Sequence, residues 1–235
     1  MAGSNWLIED RPMSNPLTIV FAIFPNVTQL DFTGPLQVLS RLPGAKIVIA
    51  SPQGGVVPTD CFFSVADSTP LADVAACDVL LVPGGFGIEQ VIADKTAIAE
   101  IARLGAQARY VTSVCTGSLI LGAAGLLKGR RAACHWAWRD LLSLYGAAPA
   151  AARVVRDGNV FSGGGVTAGI DFALVLAAEL AGEEVAKTIQ LALEYAPAPP
   201  FDAGRPENAP PEARARVEGY TAPRRERLVA MAGAA

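Results

Sequence analysis

The chain has 235 residues, a formal net charge of −3 at pH 7 and only 17% charged residues. The length suits one substantial core, and the sparse charge argues against a nucleic-acid surface built from clustered Lys and Arg. Although 51% of the residues are apolar, no run reaches the roughly 18 to 20 apolar residues of a membrane helix. We expect a soluble protein whose partner is a small molecule or a second copy of itself.

The first residues, 1–15, are predicted to be a disordered leader. They carry acids and prolines where a signal peptide needs a basic start and a long apolar centre. Without an export signal, the four cysteines belong in a reducing compartment, and no C-x-x-C pair suggests a metal site. We therefore expect a cytoplasmic protein with free thiols.

Most of the chain alternates apolar β-type runs with helical stretches. The predicted strands cover residues 17–24, 45–51, 77–85, 108–115 and 129–136, and the predicted helices cover 34–42, 88–107, 167–182 and 183–195. Strands that are apolar almost throughout are typical of a parallel sheet covered on both faces by helices. Between residues 152 and 165, Asp157-Gly158 separates two β-type runs, which predicts an antiparallel hairpin.

The end of the chain differs in composition from the rest. Prolines crowd the residues after Pro197, and a final amphipathic stretch follows them. We divide the chain into a catalytic domain of residues 16–200 and a C-terminal arm of residues 201–235 that packs on the core or on a partner subunit.

Three groups of candidate functional residues follow predicted strands: Asp31, Gly84-Gly85 and Cys115. In open α/β sheets the ligand crevice lies at the carboxyl ends of the strands. Cys115 would lie on a sharp strand-to-helix turn, where following amides stand beside its thiol and the helix N-terminus lowers the thiol pKa. The alternative is that Cys115 is a small buried core residue, as free cysteines usually are.

The other polar candidates each have two interpretations. Asp31 is either an ordinary helix cap or a desolvated carboxyl with a raised pKa that can donate a proton. His135, the only histidine, is interpreted as a packing residue rather than a base. The glycines at 163–165 suit either close approach to a neighbouring loop or a tight turn.

Four segments, in this order, resemble the ThiJ/PfpI superfamily: "FPNVTQLDFTGPLQVL", "DVLLVPGGFG", "VTSVCTGSLILGAAGLLKGRRAACHW" and "GGGVTAGIDFALVLAAELAG". The resemblance spans residues 16–200 and implies a flavodoxin-like α/β sandwich with a nucleophile-elbow cysteine. Within the superfamily, an Asp after the first strand paired with a C-T-G elbow is similar to the isocyanide hydratases. This implies addition of water to an organic isocyanide, giving an N-substituted formamide through a cysteine thioimidate, with no metal or organic cofactor.

The same resemblance implies roles for individual residues. Cys115 would be the nucleophile, Asp31 the general acid and Thr116 a hydrogen-bonding partner of the site, with Gly84 and Gly85 binding substrate or donating amides. It also implies a homodimer.

Two other kinds of function stay open from the sequence alone. One is another cysteine-dependent enzyme, of amidase, peptidase or glyoxalase type, although peptidase-like members carry His where this chain has Thr116. The other is a ligand-sensing or oxidation-sensing domain, although the related regulators need an appended DNA-binding region.

Overall fold

The computed structural model describes residues 16–233, so the predicted leader of residues 1–15 lies outside the described part. The strands are β1 (Leu17–Ala22), β2 (Ala45–Ser51), β3 (Gly55–Pro58), β4 (Ser64–Pro70), β5 (Val79–Val82), β6 (Tyr110–Val114), β7 (Arg131–Ala132), β8 (Ala148–Pro149), β9 (Val154–Asp157) and β10 (Val160–Gly163). The helices are α1 (Gln29–Leu39), α2 (Ile88–Ala93), α3 (Lys95–Gln107), α4 (Gly117–Ala123), α5 (Ala168–Ala181), α6 (Glu183–Ala192) and α7 (Pro211–Gly233). Leu71–Asp73 and Arg139–Tyr145 form short 3-10 segments.

Eight of the strands form one sheet in the order β3-β4-β2-β1-β5-β6-β10-β9. The pairs are parallel except at the two edges, where β3 runs antiparallel to β4 and β9 antiparallel to β10. The central strands β5 and β6 are buried along their whole length, as their apolar sequences predict for strands covered on both faces. The flavodoxin-like α/β class is confirmed.

Two groups of helices cover the sheet. Helix α5 packs on both α1 and α6, and α2, α3 and α4 pack on one another as the second group. Phe32 of α1 meets Phe21 of β1 edge to face, with 5.8 Å between the ring centroids. This contact packs the first turns of α1 against β1.

Several predicted elements need correction. The strand expected at 129–136 reduces to Arg131–Ala132, which pairs with β8 outside the main sheet because β10 takes the place beside β6. The helix expected at 88–107 breaks at Asp94, whose carboxylate caps α3. Helix α1 begins at Gln29 rather than 34 and contains Pro35. The sequence analysis missed β3, which has only four residues, and β4, whose mixed polar and apolar residues give no clear alternation.

The hairpin at 152–165 is confirmed as β9 and β10, and Gly158 in its turn has a φ of +60°. The final amphipathic stretch is helix α7. Its residue Arg225 pairs with Asp140 at 2.7 Å, and Arg227 pairs with Glu89 at 2.7 Å. None of the helices in the described range combines the length and the apolar character that crossing a membrane requires.

Candidate active site

The three candidate loops meet at one edge of the sheet. Strands β1, β5 and β6 are neighbours, and the loops at their carboxyl ends lead to Asp31, to Gly84-Gly85 and to Cys115 respectively. Within the sheet, β2 lies on one side of β1, and β5, which comes later in the chain, lies on the other side of β1. This is the topological switch point at which open α/β sheets form their ligand crevice.

Cys115 lies on the turn between β6 and α4 in a strained conformation. Its φ is +56°, in the left-handed region that non-glycine residues rarely adopt. The surrounding chain holds this turn: the Cys115 N–H donates to the Gly163 carbonyl at 3.0 Å, and the Ser118 hydroxyl donates to the Cys115 carbonyl at 3.0 Å. The predicted nucleophile elbow is therefore present, and it is deeply buried, with Cys115 only 6% exposed.

Asp31 is the third residue of α1 and is completely buried. Its Oδ2 atom accepts a hydrogen bond from the Gly84 N–H at 3.0 Å. Its Oδ1 atom has no hydrogen-bond partner within residues 16–233. The carboxyl thus faces the next loop instead of capping its own helix, and the interpretation of Asp31 as an ordinary cap is wrong.

Burial decides the protonation of Asp31. It raises the pKa of this carboxyl from its ordinary value of 3.8 to about 7; the Gly84 N–H and the Cys115 thiol oppose the rise, and the charge of Asp60 adds to it. An acid with a pKa near neutrality can both give up and recover a proton at physiological pH. With Oδ2 engaged by an amide, the free Oδ1 is the oxygen suited to carry that proton.

The thiol of Cys115 does not behave as the sequence predicts. Burial raises its pKa well above the ordinary value, the negative charge of Asp31 and the neighbouring thiol of Cys134 raise it further, and the Thr116 N–H lowers it. The expected activation by a helix terminus is therefore wrong, because desolvation of a fully buried thiol outweighs one backbone dipole. At neutral pH the resting site holds a thiol beside a carboxyl that titrates near 7.

Gly84, Gly85 and Thr116 join the two halves of the site. The Gly85 N–H donates to Thr116 Oγ1 at 3.0 Å, while the Gly84 N–H holds Asp31. A Cβ on Gly84 would lie 2.6 Å from the Thr116 nitrogen and 2.7 Å from Asp31 Oδ2, so only glycine fits there. Both glycine amides position side chains in this structure, and their donation to substrate stays a prediction.

Three further residues lie beside the site, Cys134, Ser118 and Asp60, and the sequence predicted no role for Ser118 or Asp60. Cys134 is buried, and its thiol pKa is raised to about 12, chiefly by burial and against a hydrogen bond with Ser118. Asp60 lies on the chain between β3 and β4, a segment with no predicted element. Because these contacts join distant parts of the chain, spacing alone gave no signal for them.

His135 lies next to Cys134 but makes a local contact. Its Nδ1 accepts the Ala137 N–H at 3.3 Å, its ring is tilted over Trp136, and burial lowers its pKa. These contacts favour the packing interpretation of the histidine over a base.

A mostly parallel α/β sheet with a strained, buried cysteine on a strand-to-helix turn, beside a carboxyl whose pKa is near 7, is typical of proteins with a nucleophile-elbow cysteine. Comparison with known proteins places the chain within this class. The model of the DJ-1/PfpI family matches residues 17–179, and the chain belongs to that family.

Individual relatives narrow the comparison. The chain is 53% identical over 194 residues to the isonitrile hydratase of Pseudomonas putida, covering 83% of this chain and 85% of that protein. A solved ThiJ/PfpI family protein from Pseudomonas syringae superposes with a TM-score of 0.90 at 41% identity, covering 93% of this chain and 91% of the other. The transcriptional regulator GbdR of Pseudomonas aeruginosa is 28% identical over 185 residues, which cover 74% of this chain but 50% of the regulator.

Proposed function

We propose that this protein is an isocyanide hydratase, which adds water to an organic isocyanide and releases an N-substituted formamide. The observation that carries the proposal is the buried Asp31, with a pKa of about 7, beside the elbow thiol of Cys115. An isocyanide carbon must be protonated and also attacked by a nucleophile, and this pair supplies both functions. The 53% identity to the isonitrile hydratase of Pseudomonas putida supports the same conclusion.

In the first half of the reaction, Asp31 in its acid form donates its proton to the terminal carbon of the isocyanide. The carbon becomes electrophilic, and the sulfur of Cys115 attacks it, forming a C–S bond. The thiol proton passes to the newly formed Asp31 carboxylate. The result is a thioimidate, R–N=CH–S–Cys, with Asp31 again protonated, so a preformed thiolate is unnecessary and the high thiol pKa is no obstacle.

In the second half, water attacks the thioimidate carbon while Asp31 protonates the nitrogen and recovers a proton from the attacking water. The tetrahedral intermediate then collapses: the C–S bond breaks, the hydroxyl oxygen becomes the carbonyl of the formamide, and its proton returns to the Cys115 sulfur. The Thr116 N–H, which interacts with the thiol in the resting site, favours the negatively charged sulfur as it leaves. The oxygen of the water becomes the formamide oxygen, and its two protons replace those that Asp31 and Cys115 gave to the substrate, so both residues return to their resting state.

We also propose that the enzyme works as a homodimer in the cytoplasm. All four cysteines are free, including the exposed Cys61, which suits a reducing compartment. The β3–β4 hairpin at the sheet edge leaves Val56, Phe62 and Phe63 exposed, and apolar side chains grouped at an edge favour association with a partner. Light scattering at micromolar concentration tests the dimer, and a monomeric mass would contradict it.

The decisive experiment follows an alkyl or aryl isocyanide by infrared absorption with purified protein. We expect the isocyanide band to disappear and the N-substituted formamide to accumulate with wild type and with Cys77→Ala, which removes another buried cysteine. Cys115→Ala should show only the uncatalysed rate. Absence of conversion by wild type would reject the hydratase function and turn attention to amidase-type chemistry or to oxidation of Cys115.

A further inference from the structure

Helix α1, which carries Asp31, begins without a cap of its own. Thr28 occupies the N-cap position in an extended conformation, but its side chain makes no capping hydrogen bond. The first helical amide, the Gln29 N–H, instead donates to Asp60 Oδ1 at 2.9 Å. A carboxylate at this position satisfies an otherwise unpaired donor and complements the positive end of the helix dipole.

A second contact fixes Asp60 against the same loop. The Asp60 N–H donates to the Val27 carbonyl at 3.1 Å, so the backbone and the side chain of Asp60 hold the chain on both sides of Thr28. On its other side, Thr28 donates its N–H to the Gly84 carbonyl at 2.9 Å. The turn that leads to Asp31 is therefore held between Asp60 and the glycine loop that binds the Asp31 carboxyl.

We propose that Asp60 is a positioning residue for the reaction: it caps α1 from a distant part of the chain, fixes the turn that carries Asp31, and holds a negative charge beside it. This inference rests on the proposed hydratase function for its kinetic consequence. Asp60 touches no reacting atom, and its effect passes through Asp31.

The surroundings of Asp31 show why the charge of Asp60 matters. The titratable groups that influence the Asp31 carboxyl are the thiols of Cys115 and Cys134 and the carboxylate of Asp60. Both thiols have pKa values raised far from neutrality, so they keep their protons near pH 7. Asp60 is the charged neighbour that raises the pKa of Asp31, a smaller influence than burial, and it favours the protonated acid.

Other charged groups lie near Asp60 itself. It lines a cavity of about 420 Å³ with Glu89, Arg224 and Arg227, and Glu89 pairs with both arginines. The exposed thiol of Cys61 also contacts Asp60, which raises the pKa of that thiol. Because both arginines already face Glu89, the charge of Asp60 is not neutralised by a pairing of its own in the described chain.

The test compares Asp60→Asn, which keeps the hydrogen-bond acceptor but removes the charge, with Asp60→Ala, which removes both. Matched controls are Asp94→Asn and Asp94→Ala, since Asp94 caps α3 through its own carboxylate. We expect Asp60→Asn to keep the wild-type kcat at low pH and to move the high-pH fall of kcat/KM to lower pH. Asp60→Ala should also lower kcat about tenfold, because misplacing a catalytic group is costly.

The Asp94 variants should leave both the rate and the pH profile unchanged. If Asp60→Asn and Asp60→Ala both keep the wild-type profile and kcat, the positioning role is overturned. If the two Asp60 variants lose activity equally with no shift of the profile, Asp60 acts on structure alone and the charge effect is rejected.

A measurement without substrate separates this inference from the proposed function. Carboxyl ¹³C NMR titration of Asp31 in the resting full-length protein should show a lower Asp31 pKa in Asp60→Asn than in wild type or in Asp94→Asn. An unchanged Asp31 titration would overturn the charge effect even if the protein is a hydratase. A shifted titration in a protein that hydrates no isocyanide would reject the hydratase function but keep the influence of Asp60 on Asp31.

Discussion

At the start of α3, Asp94 accepts hydrogen bonds from the Thr96 N–H at 2.9 Å and the Ala97 N–H at 3.0 Å. At the start of α1, Asp31 accepts none from its own helix and binds the Gly84 amide of another loop, while Asp60 satisfies the first helical donor. Asp94 caps and stabilises its own helix, whereas Asp31 does not cap the helix that carries it. The Asp31 carboxyl is available for chemistry because Asp60 satisfies the first amide of its helix.

Replacing Asp31 by Asn should lower the activity more than any other substitution described below. Asp31→Asn keeps the size of the side chain and an acceptor for Gly84 but cannot donate a proton, so we expect kcat/KM for isocyanide hydration to fall about a thousandfold. Steady-state kinetics beside wild type checks this. Turnover within a few-fold of wild type would mean that Asp31 resembles Asp94 after all.

The same substitution should stabilise the fold at alkaline pH. The folded pKa of Asp31, about 7, lies above the unfolded value, so the folded state binds the extra proton and its stabilising contribution is lost as pH rises through 7. Relative to wild type, Asp31→Asn should therefore gain up to about 4 kcal/mol of unfolding free energy between pH 4 and pH 8. Urea unfolding at both pH values measures this, and a pH-independent difference would contradict the buried acid.

The pH dependence of kcat/KM in the wild-type protein tests whether Asp31 acts in its protonated form. Because Asp31 must be protonated to act as the acid, kcat/KM should fall about tenfold per pH unit above roughly pH 7 and stay level just below it. Initial rates across this range, with circular dichroism to confirm folding, give the profile. A rate that rises through pH 7 would assign the active form to the Asp31 carboxylate.

Removing the helix cap at Asp94 should affect stability slightly and activity not at all. Asp94→Ala should cost about 1 kcal/mol of unfolding free energy, as loss of an N-cap usually does, and should leave kcat and KM unchanged. Thermal unfolding and steady-state kinetics measure the two outcomes. A fall of kcat or a change of KM in the folded variant would show that the cap of α3 affects the active site.

The class of fold was predictable from the amino-acid sequence, because apolar strands alternating with helices admit few arrangements. The sequence also predicted that Asp31, the Gly84-Gly85 pair and Cys115 lie at one edge of the sheet, since the carboxyl ends of adjacent parallel strands meet there. The resemblance of four ordered motifs then indicated the family, which the family match confirmed.

The pKa values of the site residues and the hydrogen bonds that support the site were not predictable from the sequence. The pKa values of Asp31 and Cys115 depend on burial by elements far apart in the chain, so local patterns predicted an activated thiol where the folded protein keeps a neutral one. The capping of α1 by Asp60 joins Gln29 to a residue 31 positions away, and the spacing of residue types in the sequence does not predict such a pair. Local sequence fixes which residues lie at the ends of strands, but desolvation and long-range hydrogen bonds exist only once the chain has folded.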